Sequence, residues 1–268
     1  MPFFLKGPIC FKYSLLHYFS GGSIPLPRFK ITIQYDGTGF RGWQLQKDER
    51  TIQGEIEDAL QILNHKTSIR IHGAGRTDTG VHATGQVAHF DFNTDMDSCA
   101  LKDALNGNLA RDVRVIACKI VSPEFHARFS AVRRYYNYRT RTNTFLLDRN
   151  YTWPVGSIDL DTLNEAASII GGNHDFTAFS RHTEDLEHRR CIIYDSVWKE
   201  KGAVVNYQVS GNRFLHHMIR YLVGTMIEIS RGKYEMAQFK QLINEPVENV
   251  NIYKAPPQGL VLTQVDYD

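Results

Sequence analysis

The stretch GAGRTDTGVHATGQVAHF, residues 73–90, carries the residues best suited to chemistry. Gly73, Gly75 and Gly80 surround one guanidinium, Arg76, and one carboxylate, Asp78. Gly75 and Gly80 have the spacing of a phosphate loop. Val81 and His82 stand where lysine and a hydroxyl residue belong, so phosphate-loop chemistry is excluded. Gly73 and Gly75 lack the third glycine of a dinucleotide loop. Asp78 and His82, four apart with His89 nearby, would share a metal on a helix, but the glycines argue against a helix. Two readings of Asp78 remain. In the plainer one, a hairpin aspartate caps backbone amides. In the other, Arg76 keeps the carboxylate ionised, and Asp78 serves as a nucleophile or stabilises an oxocarbenium-like charge.

A second cluster is FHARFSAVRRYYNYRTRT, 125–142. Arg128, Arg133, Arg134, Arg139 and Arg141 occur there without an acid, and Tyr135, Tyr136 and Tyr138 interleave. Period two sets Arg134, Tyr136 and Tyr138 on one face. Arginines that hold phosphates beside aromatics that stack bases suit RNA. The alternative is a tyrosine-rich strand with solvated arginines outside. In NRFLHHMIRYLVG, 212–224, Arg220 sits among Met218, Ile219, Leu222 and Val223. A buried guanidinium there is costly without a carboxylate; at the helix rim it would be ordinary surface. His216 and His217 read as packing or RNA-facing residues rather than ligands. YDGTGFRGWQLQ, 35–46, reads as a turn at Asp36-Gly37. Turn chemistry leaves Arg41 and an exposed Trp43-Gln44 pair unexplained.

Strands and helices must hold these residues in place. Phe29, Ile31, Ile33 and Tyr35 alternate as a strand. Ile52, Ile56, Ala59, Leu60 and Leu63 fall at helical spacing behind Thr51 as N-cap. SIRIHG and 86–92 predict strands, SCALKDALNGNL a helix, and VRVIACKIV a strand apolar enough for a buried position. The order then repeats. A strand over 133–142 precedes a helix with Leu163, Ala166, Ala167 and Ile170 on one face, ending at Gly171-Gly172. CIIYDSVWKE and AVVNYQVSG are strands around a Lys-Gly turn. Helices over 214–230 and near 235–244 precede a closing strand, GLVLTQVDY. The expected class is α+β: two ferredoxin-like β-α-β-β-α-β halves with antiparallel or mixed sheets, 28–124 and 125–268, divided near Pro123.

The bulk composition fits a globular chain. Of 268 residues, 42% are hydrophobic and 22% charged, room for one large domain or two small ones. A net charge of +2 requires any basic surface to come from local clustering. Cys10, Cys99, Cys118 and Cys191 lie far apart with no C-x-x-C pair, which excludes a zinc site and suits reduced thiols in a cytosolic-type compartment. No apolar run reaches the ~18 residues of a membrane helix. Residues 1–27 contain two lysines and no acid. They read as an N-terminal extension; the lack of acids leaves organellar targeting open, and the missing arginines argue against it.

Taken together, YDGTGFRGWQLQ, TIQGEIEDAL, GAGRTDTGVHATGQVAHF, FHARFSAVRRYYNY, FLHHMIRYLVG and the closing APPQGL-VL-QVDY resemble the tRNA pseudouridine synthase A family, block for block, from about Phe29 onward. GRTDTGVHA alone is specific; the other blocks gain weight from their order. The resemblance implies that Asp78 is the catalytic nucleophile. It makes Arg76 the residue that orients Asp78 and helps displace the base, Tyr136 the tyrosine stacked on the target uracil, and Arg220 the partner of Asp78. Arg41, Arg128, Arg133, Arg134, Tyr138 and His217 are the expected RNA contacts. It further implies a central cleft, a cytoplasmic homodimer, and tRNA substrates modified at anticodon-arm positions 38 to 40, with no cofactor, metal or membrane. Thr79 departs from the family, which usually has alanine after the aspartate. Two other classes fit the residues: a non-catalytic RNA chaperone of this fold, and an aspartate-dependent nucleosidase or glycosidase, which would need a second carboxylate close by.

Overall fold

The computed structural model describes residues 26–181 and 188–268. The expected extension lies outside the described residues up to position 25. The first part of the chain forms β1 (Arg28–Tyr35), α1 (Ile52–Leu63), β2 (His72–Gly73), β3 (His82–Asp91), α2 (Ser98–Asn108) and β4 (Val113–Val121). The second forms β5 (Ala131–Arg141), β6 (Trp153–Pro154), α3 (Leu160–Ile169), β7 (Gly172–Asp175), β8 (Arg190–Lys201) and β9 (Val204–Gly211). It ends with α4 (Met218–Ser230), α5 (Met236–Asn244) and β10 (Leu260–Tyr267).

Among the described residues, ten strands make one sheet in the order β4-β1-β3-β10-β5-β9-β8-β7, with β2 paired to β3 and β6 to β5. In each half the first strand lies between the fourth and the third, and the second strand lies beyond the third. This is the ferredoxin-like order, used twice. β1 alternates because Phe29, Ile31, Ile33 and Tyr35 face a core. Ile52, Ile56, Ala59 and Leu60 of α1 cover that face, and Thr51 Oγ1 caps the helix by accepting from Gly54 N at 3.2 Å. In the second half α3 and the nearly all-buried α4 form the other core. Tyr136 packs against both cores.

The two halves meet on one strand. β1 takes one edge of β3. The other edge is shared by β2, at His72↔His89 and Gly73↔Ala88, and by β10, which runs parallel at Val261↔His82 and Leu262↔Ala83. The loop between β2 and β3, which holds Asp78, therefore emerges at the seam.

The structure departs from the sequence expectations in three places. The apolar run of β4 is an edge strand paired only to β1, and Ile116 and Ile120 are 45% and 58% exposed. Such a run reads as buried on both faces, but α2 covers only one. SIRIHG contributes just His72–Gly73 to the sheet. The helix expected from 214 begins at Met218, because His217 adopts φ 64°, a left-handed conformation no helix interior contains.

A Cβ on Gly85 would lie 2.1 Å from Thr263 O, so the backbones at the seam touch. Gly85→Ala is expected to destabilise the fold by about 1–3 kcal/mol, seen as a lower urea midpoint with an unchanged slope.

Candidate active site

The loop carrying Asp78 is braced from outside. Trp43 N donates to Thr77 O at 3.0 Å, Tyr35 Oη and Thr77 Oγ1 share a 2.8 Å hydrogen bond, and Gln86 Nε2 donates to Gly75 O at 2.9 Å. Gly42, at φ 89°, lets the 40–43 turn approach; a Cβ there would lie 2.5 Å from Thr77 O. These contacts explain Trp43, which is buried rather than exposed as expected. They also settle His82. Its Nδ1 accepts from Gly37 N at 3.0 Å and its Nε2 bonds Asn150 O at 2.9 Å, so its ring is occupied by backbone groups.

With Thr77 anchored, Asp78 turns inward to the start of α4. Its Oδ2 accepts from Arg220 Nη1 at 3.0 Å. Arg220 Nε donates to Ala255 O at 2.8 Å, so the guanidinium that looked costly in an apolar helix has a carboxylate and a carbonyl. His217 and Arg220 lie three apart and both reach the same carboxylate. His217 Nε2 is 3.6 Å from Asp78 Oδ2, and His216 Nε2 is 3.5 Å from Oδ1. Burial holds both imidazoles below the ordinary histidine range against the pull of Asp78, His217 down to about 4. Tyr136 stands nearby on β5, its ring 5.2 Å from that of Phe214. Burial pushes its phenol up to about 12, the Arg134 charge opposing and the Asp78 charge assisting.

The other expected residues divide. Arg76 is exposed and makes no hydrogen bond or ion pair to Asp78. The anchoring of Thr77 leaves residue 76 at the solvent surface, and Arg220 fills the partner role instead. Tyr138 is fully buried, with its hydroxyl donating to Pro256 O at 2.7 Å, so it is a core residue and no RNA contact. Arg134 is also inward. Its guanidinium donates to the carbonyls of Ala131 (2.9 Å), Asn212 (2.6 Å), Ala74 (3.2 Å) and Arg128 (2.6 Å). It thus ties the Asp78 loop to the loop before α4, and its donors are not open to phosphate. Arg133, one residue before it and so on the opposite face of the sheet, pairs with Asp195 and Ser210. Arg128 is exposed with its guanidinium over the Phe129 ring. Arg41 is exposed and pairs with Glu49 at 3.1 Å.

The site residue that sequence reasoning undervalued is His216, together with the true orientation of His217. The available signal was their place immediately before Arg220. Asp78, His216 and His217 bring three ligand-type atoms within 4.8 Å of one another. The Arg220 guanidinium already holds Oδ2 and repels a cation, so the arrangement suits proton chemistry better than metal binding. A carboxylate in an ion pair, an imidazole whose burial disfavours its charge and a phenol packed against both cores come together here.

A family model described as tRNA pseudouridine synthase matches residues 31–130 and 166–268. The chain is 38% identical to tRNA pseudouridine synthase A of Maridesulfovibrio salexigens over 249 residues, covering 90% of this chain and 91% of that one. It is 38% identical to tRNA pseudouridine synthase A 1 of Protochlamydia amoebophila over 247 residues (90% and 96% covered). It is 37% identical to the Geobacillus kaustophilus tRNA pseudouridine synthase A over 244 residues (90% and 95%). The chain belongs to the tRNA pseudouridine synthase family, a family of isomerases.

Arg134→Met leaves four carbonyls without their donor and is expected to cost about 1–3 kcal/mol, read by chemical denaturation. Arg220→Met is expected to stay folded and to bind tRNA while turning over far more slowly, checked by single-turnover assay beside filter binding.

Proposed function

We propose that this chain converts uridine to pseudouridine at positions 38, 39 and 40 of the tRNA anticodon stem-loop, with Asp78 as the nucleophile. The observation that carries the reading is the Asp78–Arg220 pair at 3.0 Å, with Tyr136 near enough to feel the Asp78 charge. The reaction breaks N1–C1′, turns the uracil while it is held, and joins C5 to C1′. Nothing is oxidised and no group leaves, so the chain's own residues are sufficient for it. A paired base is out of reach in a duplex and must be flipped, which costs a few kcal/mol. Exposed Arg76 and Arg128 are free to offset that cost by phosphate contacts. Tyr136 stacks on the displaced uracil.

Asp78 attacks C1′, abstracts a ribose proton to give a glycal, or adds to C6. Each route needs a carboxylate that is charged and aimed, and Arg220 supplies both conditions. A homodimer and a cytoplasmic setting belong to the same reading and rest on the family resemblance. The glycosidase alternative wants a second carboxylate near the first. Asp91, the nearest in sequence, pairs with Arg28 at 2.7 Å at the other end of β3, roughly 30 Å of strand from His82. The chaperone alternative gives no reason to bury an arginine against a carboxylate in the cleft.

With an anticodon-arm transcript carrying C5-tritiated uridine, wild type is expected to release tritium. Asp78→Ala is expected to release none while retaining tRNA affinity. Normal release by Asp78→Ala would sink the assignment of the nucleophile, and no release by wild type would favour the chaperone.

A further inference from the structure

We propose that His217 is the base that removes the C5 proton from the rotated uracil, a role that rests on the pseudouridine synthase reading above. Once the detached uracil has used an electron pair to form C5–C1′, C5 carries both hydrogen and C1′, and N1 is doubly bonded to C6. Loss of the C5 proton returns that bond's pair to C5=C6. The C6=N1 π pair then settles on N1, which takes a proton. One proton moves from C5 to N1, and no oxidant or reductant enters. The step needs a free lone pair at neutral pH, within reach of C5 in a uracil held against Asp78.

Three groups face that position. Tyr136 carries its own proton, held there by burial up to about 12, so its phenol has no base form to offer at neutral pH. Asp78 Oδ2 is held by Arg220. His217 remains. Its Nε2 stands 3.6 Å from Asp78 Oδ2, beside the carboxylate yet too far for a hydrogen bond to tie it up. Its Nδ1 is buried and makes no hydrogen bond, so proton exchange goes through Nε2, the one atom the ring presents to the cleft.

The ring is also held rigidly. It packs 4.0 Å from the His216 ring and 6.0 Å from Tyr221, on a backbone fixed at φ 64°. The charged and titratable groups facing it are Asp78, His216, Arg220 and Lys254. Burial outweighs the attraction of Asp78, so the imidazole rests neutral, and the proposed role uses the tautomer that carries its proton on Nδ1 and leaves the lone pair on Nε2. Exposed His216 lacks this confinement; its side chain is 42% accessible.

Asparagine tolerates the left-handed backbone and has no basic lone pair, so His217→Asn removes the base and keeps the turn. Turnover is measured on anticodon-arm transcripts with protium or deuterium at the uridine C5. The expected result is turnover slower by about 100-fold or more, unchanged tRNA affinity, and a primary deuterium effect absent from wild type. In His217→Ala, free imidazole is expected to restore part of the rate. Wild-type turnover by His217→Asn overturns the assignment. So does slow turnover with neither isotope effect nor imidazole rescue, which assigns the ring to packing. An isotope effect in Tyr136→Phe but not in His217→Asn transfers the role to Tyr136. If wild type itself makes no pseudouridine, the parent reading fails together with this one.

Discussion

The site depends on one ion pair that crosses the molecule. Asp78 comes from the loop between β2 and β3, and Arg220 from the first turn of α4 in the other half. Neither is at ease alone: a guanidinium within an apolar helix and a half-buried carboxylate each carry a desolvation cost that only a partner offsets. Both halves must therefore be seated on the common sheet before either charge is satisfied. The seam at β3 and β10 is accordingly part of the catalytic geometry as well as of the fold.

Rigidity around that pair comes from neutral backbone groups. Trp43 and Tyr35 hold Thr77 from the first half, while Arg134 reaches from β5 to carbonyls on both loops that flank the pair. A half-buried cation that meets carbonyls rather than a carboxylate adds positive potential beside the pair without neutralising Asp78. The histidines complete the pattern. They are close enough to feel the carboxylate, and for each the burial of the ring outweighs that pull and lowers its pKa.

Much of this was legible in the sequence. Both βαββαβ repeats came from periodicity, because alternation and helical spacing record which face meets a core. The Asp78–Arg220 partnership followed from the cost of an isolated buried arginine combined with the family resemblance. What stayed hidden depends on how loops sit in space. The sequence places both Arg76 and Arg220 at Asp78; the structure shows the pair with Arg220 and leaves Arg76 exposed beyond the anchored Thr77. Arg134, Tyr136 and Tyr138 share a face, but that face runs from a loop junction through the cleft into a core, so one period contains three roles. Ile116 and Ile120 misled because an apolar run does not say whether a second layer covers it. The left-handed residue before α4 has no signature in composition, and it is what aims His217.

The pairing also imposes an order of events on synthesis. Asp78 is synthesised 142 residues before Arg220, and the strand that joins the halves at β3 is the last of the ten to be made. The nascent first half can collapse around its own apolar face, yet its carboxylate lacks a counter-charge and the His82–Ala83 stretch of β3 lacks its β10 neighbour. A partly made chain thus has an open strand edge and no reactive centre. Catalytic competence arrives in one step, late, when the second half closes on the first.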